Sequence, residues 1–158
     1  MKQGMGKITD VRTLLLDLDD LSDSEVAELG RKEYSDLFLT MAKRGIHDLH
    51  DGEKVVFFAE RYDHAFFISP TKVNIERGRV ARIRWILPLM QGKVPNSQCW
   101  LKPKLRGDQR FYVCNGLRYI VWLEPRTVGG WRFSSAYNAE QDEIEYYKKG
   151  ATLLCCFK

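Results

Sequence analysis

Residues 98–137 read QCWLKPKLRGDQRFYVCNGLRYIVWLEPRTVGGWRFSSAY, and four runs within them are dense in Tyr, Phe, Trp, Val and Ile. The runs are 98–104, 110–115, 118–124 and 131–137. Arg106-Gly107-Asp108, Asn115-Gly116 and Val128-Gly129-Gly130 separate them. Side chains of this type suit a pleated, half-buried surface, and Asn-Gly between two such runs is a strong hairpin signal. The stretch therefore predicts an antiparallel sheet of at least four strands.

Upstream, Ser22 or Asp23 can cap a helix with Glu25 in its first turn. Apolar residues then recur at Val26, Leu29, Tyr34, Leu37, Phe38 and Met41, a helical period. Lys43 and Arg44 suit its last turn and Gly45 its stop, with a polar turn around Gly52 to follow. A shorter helical piece is expected over 11–18. Runs 54–60 and 64–69 read as strands around Arg61, Tyr62 and Asp63, closed by Pro70. Residues 74–87 place Ile75, Val80, Ile83, Ile86 and Leu87 on one helical face and Arg77, Arg79, Arg82 and Arg84 on the others, a second helix that ends before Pro88 or one turn beyond. Residues 140–154 read as a closing amphipathic helix marked by Gly150. The expected fold class is α+β: N-terminal helices packed on an antiparallel sheet of four or more strands, with a short C-terminal helix. One domain is expected over 1–158, divided into an acidic helical part (1–53), a basic core (54–140) and the last helix (141–158).

The chain has 158 residues, 44% of them apolar, and a formal charge of +4. Charge is unevenly spread. Residues 1–53 hold 7 basic and 12 acidic side chains, 54–158 hold 18 and 9, and 61–132 hold 14 and 4. A field of that sign suits a phosphate backbone. The apolar runs are far shorter than the roughly 20 residues of a membrane-spanning helix. Asp17, Asp19 and Asp20 fall where a leader's apolar segment would lie, so a cytoplasmic protein without membrane association is expected. Cys99, Cys114, Cys155 and Cys156 show no CxxC spacing and read as thiols in a reducing compartment.

Phosphodiester cleavage in RNA can use the substrate's own 2′-hydroxyl, leaving the protein to move protons and stabilise charge on phosphorus. A histidine, arginines and hydroxyls suffice, and neither metal nor cofactor is expected. His64 is the acid–base candidate. Arg82 is a further catalytic candidate, with Ser134, Ser135 or Tyr137 as hydroxyl partners. Arg61, Arg79, Arg126 and Arg132 are candidates for holding phosphate, since the guanidinium fork can grip it in two places. By alternation Arg132, Ser134 and Ala136 share one face of their strand, and Trp131, Phe133, Ser135 and Tyr137 the other. His47, Asp48, His50 and Asp51 read as a solvated turn. No Gly-x-Ser-x-Gly elbow, dinucleotide fingerprint or phosphate loop occurs. Of Trp85, Trp100, Tyr112, Tyr119 and Trp122, at least half are expected to face the helices and the rest to be available for stacking on bases.

Arg61-Tyr62-Asp63-His64-Ala65-Phe66-Phe67, Arg79-Val80-Ala81-Arg82-Ile83-Arg84-Trp85-Ile86 and Trp131-Arg132-Phe133-Ser134-Ser135-Ala136-Tyr137, in that order, resemble phage- and plasmid-associated nucleases of the barnase, EndoU, colicin and RelE superfamily. The likeness covers residues 54–140. It implies helices packed on a four-stranded antiparallel sheet, RNA cleavage without a metal, and roles for His64, Arg82 and Ser134 or Ser135. It also implies a toxin or effector restrained by an inhibitor protein. A non-catalytic nucleic-acid-binding or regulatory module is the alternative expectation.

Overall fold

The computed structural model describes residues 10–68 and 74–158. After a 3-10 turn at Val11–Leu14, a capping box opens α1 (Asp23–Phe38): Ser22 Oγ accepts the Glu25 amide at 3.2 Å and Glu25 accepts the Ser22 amide at 2.9 Å. Such a cap stabilises a helix by about 1 kcal/mol. There follow β1 (Arg44–Asp48), β2 (Lys54–Phe58), α2 (Arg61–Phe66), α3 (Arg77–Ala81), a 3-10 turn at Ile83–Trp85, α4 (Ile86–Met90), β3 (Ser97–Lys102), β4 (Gln109–Cys114), β5 (Tyr119–Pro125), β6 (Trp131–Asn138), α5 (Gln141–Lys148) and β7 (Thr152–Phe157).

The fold is α+β, as expected, with seven strands in one sheet of order β1-β2-β6-β5-β4-β3-β7. Every pair is antiparallel except β2 with β6. One face carries the larger core. Phe38, Phe57 and Phe133 stack there at centroid distances of 4.2 Å and 4.9 Å, and Tyr34 meets Phe57 and Phe133 at an angle. Val26, Tyr62, Phe66, Val80, Ile83 and Ile86 bury themselves in the same cluster. On the other face α5 covers Phe111, Val113, Ile120 and Trp122 through Ile144. Helices thus lie mostly on one face of the sheet, with α5 on the opposite one. No helix among the described residues is long and apolar enough to cross a membrane.

Several elements differ from expectation. The first helix stops at Phe38, not at Arg44, because Arg44 and Gly45 are taken into β1 opposite Phe58 and Phe57. Gly45 is no helix stop. A Cβ there would lie 1.7 Å from the Phe38 carbonyl oxygen, so the residue permits the close passage of β1 beneath the helix end. The expected strand at 64–69 is the helix α2, with Tyr62, Ala65 and Phe66 buried, a three-to-four spacing that the aromatic content obscured. Ser69 and Pro70 lie outside the described residues. The expected helix 74–87 is broken at Arg82 into α3 and a 3-10 turn, and it continues through Pro88 to Met90. The closing helix ends at Lys148. Leu154 belongs to β7, which pairs with β3. The β4–β5 hairpin exists, but it turns through a 3-10 segment, with Arg118 rather than Gly116 at positive φ.

Candidate functional site

β2 pairs with β6 only at Val55↔Trp131 and Val56↔Arg132. Beyond Arg132 the outer edge of β6 is met by α2 and α3, and the sequence supplies side chains that serve an edge of this kind. Arg61, the first residue of α2, donates from Nε to the Ser134 carbonyl at 2.7 Å and from Nη2 to Ser134 Oγ at 3.2 Å. A backbone acceptor that a strand would have paired is satisfied by a guanidinium instead. Arg79 of α3 donates to the Ala65 carbonyl at 2.9 Å, and its guanidinium lies 4.9 Å from the centre of the Tyr137 ring. Three segments far apart in sequence therefore join in one seam.

Ser134 reaches that seam through a bulge. β5 and β6 pair Trp122 with Ser135 and Leu123 with Phe133, leaving Ser134 as the extra residue. The expected alternation therefore fails. Phe133 and Ala136 enter the same core, while Tyr137 packs with the α5 cluster. Bulges re-aim side chains in this way. Ser134 bonds Arg61; Ser135, paired across from Trp122, does not join it.

His64 is exposed on α2. Tyr62, Ala65 and Phe66 face the core, Asp63 turns to Arg31 of α1 at 3.1 Å and Arg61 turns to Ser134 of β6, which leaves His64, three residues after Arg61, on the outer side of α2. Arg82 lies one turn beyond Arg79. It donates to the Gly78 carbonyl at 2.9 Å and sits 5.3 Å from the Trp85 ring, and its Nε is buried with no acceptor among the described residues. Burial raises the pKa of the Tyr119 phenol, the Arg82 and Arg79 charges oppose the rise, and the Tyr119 hydroxyl donates to the Arg82 carbonyl at 3.4 Å.

Other candidates go elsewhere. Tyr137 presents its ring to Arg79, but its hydroxyl accepts from Trp122 Nε1 at 3.2 Å and meets Tyr147 Oη at 3.0 Å on the α5 side. Arg126 stands over Phe58, 5.7 Å from the centre of its ring, and bonds none of the seam residues among the described ones. Arg132 pairs with Glu124 at 3.0 Å.

Glu124 was missed from sequence. Burial pushes its carboxyl up, but hydrogen bonds from Arg132 and Ser134, with the Arg132 and Arg61 charges, outweigh that and hold it below the usual carboxylate range. Its signal was its place directly opposite Arg132 in the expected hairpin. His47 and His50 do not converge: His47 Nε2 meets the Phe38 carbonyl at 2.7 Å and His50 Nδ1 the Tyr112 hydroxyl at 2.7 Å. Among the described residues no group of three or more His, Cys, Asp or Glu side chains is arranged to hold a metal ion.

The seam thus offers two anchored guanidinium groups and a fixed hydroxyl, with the exposed His64 on the same short helix as Arg61. That set is suited to a phosphate ester. No protein-family model, curated protein or solved structure matches this chain.

Proposed function

We propose that the chain cleaves RNA at the α2–α3–β6 seam by attack of the substrate's 2′-hydroxyl on the adjacent phosphorus. The observation that carries this reading is that Arg61 and Arg79 are anchored by part of their donor sets, on Ser134 and on the Ala65 carbonyl, at the short helix that also carries His64. A guanidinium has five N–H donors, so anchoring leaves others for phosphate oxygens. Groups already fixed lose little entropy when the substrate arrives, and they stabilise charge as it grows on phosphorus. In the reaction the 2′-oxygen bonds to phosphorus and the 5′-oxygen departs. His64 removes the 2′ proton, and the leaving oxygen takes a proton from His64 or water, giving a 2′,3′-cyclic phosphate. Ser134 holds Arg61 in place. Arg82 supports the field from one turn away. An active enzyme of this kind would need an inhibitor protein in its own host.

The engagement of the Tyr137 hydroxyl with Trp122 and Tyr147 favours a second reading, a module that binds nucleic acid without cutting it. Incubation of the purified protein and its His64→Ala variant with labelled RNA in EDTA separates the two. Cleavage by the parent alone, with a cyclic phosphate product, supports the enzyme. Salt-sensitive binding by both with no product supports the module.

A further inference from the structure

On the sheet face opposite α1–α4, α5 packs on β3 to β5, and at the β1–β2 hairpin Ile46 is exposed while Val56 is buried. Register sets Arg44 opposite Phe58, Ile46 opposite Val56 and Asp48 opposite Lys54. Val55 and Phe57 enter the helix-side core, so by alternation these six side chains share the opposite face. Phe58 is half-buried, and Arg126, carried over from the β5–β6 turn, sits above its ring. Two cavities open along this face, and Phe58 lines the second. One of about 410 Å³ lies between Ile46, Val56, Arg126 and Val128, and one of about 530 Å³ between Lys43, Arg44, Phe58 and Glu60.

Charge separates this patch from the rest of the face. Lys54 and Arg132 are neutralised by Asp48 and Glu124. Lys43, Arg44 and Arg126 have no ion-pair partner among the described residues, although the Glu60 carboxylate lines the second cavity with Lys43 and Arg44. Three cations around one aromatic ring, beside apolar hollows, form a stacking platform with a phosphate-attracting rim. Chain continuity links it to the seam, since β2 ends at Phe58 and Arg61 begins α2 three residues later.

We infer that Phe58, with Lys43, Arg44 and Arg126, forms a subsite for a nucleotide of single-stranded RNA flanking the one held at the α2–α3–β6 seam. This inference builds on the nuclease reading and extends it to substrate length: the base packs against Phe58 from the cavity lined by Lys43 and Arg44, Arg126 already lying over the ring, and Arg126 with Lys43 and Arg44 holds the phosphates on either side. A single strand is required because a paired base offers no free face for stacking.

The test compares Phe58→Leu and the Lys43→Gln/Arg44→Gln double variant with the parent, on RNA dinucleotides and on oligonucleotides of about twelve nucleotides. Affinity is read by fluorescence anisotropy in a His64→Ala background, and cleavage is read with His64 in place. Phe58→Leu, which keeps an apolar side chain, is expected to weaken the long oligonucleotide by about tenfold and the dinucleotide far less. The double variant is expected to lower the salt dependence of long-oligonucleotide binding by about one to two phosphate contacts. Equal losses on both lengths, or no loss on either, overturn the subsite. Competition by polyglutamate as effective as that by RNA overturns it in favour of an acidic protein partner. Length-dependent binding without cleavage by the parent leaves the subsite standing and removes the nuclease. Cleavage indifferent to Phe58 and the two cations does the reverse.

Discussion

Arg61 uses two of its five donors on Ser134, one on the carbonyl and one on the hydroxyl, which gives it a structural role and leaves donors for the phosphate of the proposed reaction. A lysine can reach one acceptor but cannot reproduce the fork. Arg61→Lys is therefore expected to lower stability modestly, by about 1 kcal/mol in a urea titration, while RNA cleavage falls by more than tenfold. Cleavage at the parent rate would remove Arg61 from the site. Gly45 makes the complementary case, a residue with no chemistry whose absent side chain the fold requires. Its Cβ would lie 1.7 Å from the Phe38 carbonyl oxygen, so Gly45→Ala has to displace backbone. A loss of at least about 2 kcal/mol is expected from the same titration, and an unchanged midpoint would contradict the close passage of β1 beneath α1.

At the scale of elements, β3 to β6 were legible because their aromatic and β-branched runs end at turn residues, a local property of the chain. α1 was legible at its start, where the Ser22–Glu25 box is encoded in four residues, and not at its end, where pairing with β2 claims Arg44 and Gly45. Six-residue α2 was misread as a strand because His64 to Phe67 carries strand-like side chains, and only packing against α1 selects the helix. The candidate site divided in the same way. Arg61, His64 and Arg79 carried recognisable chemistry, but the company of Ser134 depends on a bulge, and that of Glu124 on strand register, which single residues do not announce. β7 was hidden behind the helix it follows. Its placement can be checked directly, because Cys99 of β3 and Cys155 of β7 are register partners. Facing positions on neighbouring strands fall within the Cα separation that a disulfide needs. Burial pushes the Cys99 thiol up to about 12, so the pair is expected to resist mild oxidation and to join only under a strong oxidant at raised pH, with Cys114 remaining free, as peptide mapping would show. A Cys155–Cys156 or Cys114 linkage instead would displace β7 from its register.

Across the whole molecule, the acidic charge of the first third is partly spent on the basic remainder: Glu33 binds Arg84, Asp23 binds Arg77, and Asp51 and Glu53 close on the buried Arg110. His50 stands at the edge of that last group, bonded to Tyr112. Burial lowers its pKa from the ordinary value, with Arg110 acting in the same direction and Asp51 and Glu53 against it. The unfolded chain therefore binds the proton first as pH falls. The stabilisation from a neutral His50 is fully present above about pH 6.5 and declines as pH drops below that toward the folded-state value. Urea midpoints measured from neutral to mildly acidic pH are expected to fall across this interval, and His50→Gln is expected to flatten the slope. A slope unchanged in the variant would assign it to other groups.

The β2–β6 junction has a consequence for the order in which the chain can assemble. It is the sheet's parallel pairing, and 76 residue positions separate Val56 from its partner Arg132 there, whereas the β4–β5 hairpin closes within a few residues. On a ribosome the β1–β2 hairpin emerges long before the strand that will shelter it, with Val55 and Phe57 lacking their place in the core until β6 is made. Distant pairings of this kind slow folding, because loop closure must be completed before contacts reward it. The nascent protein thus passes through an interval in which its first two strands exist without a sheet, and in that interval it is most exposed to aggregation and most dependent on chaperones.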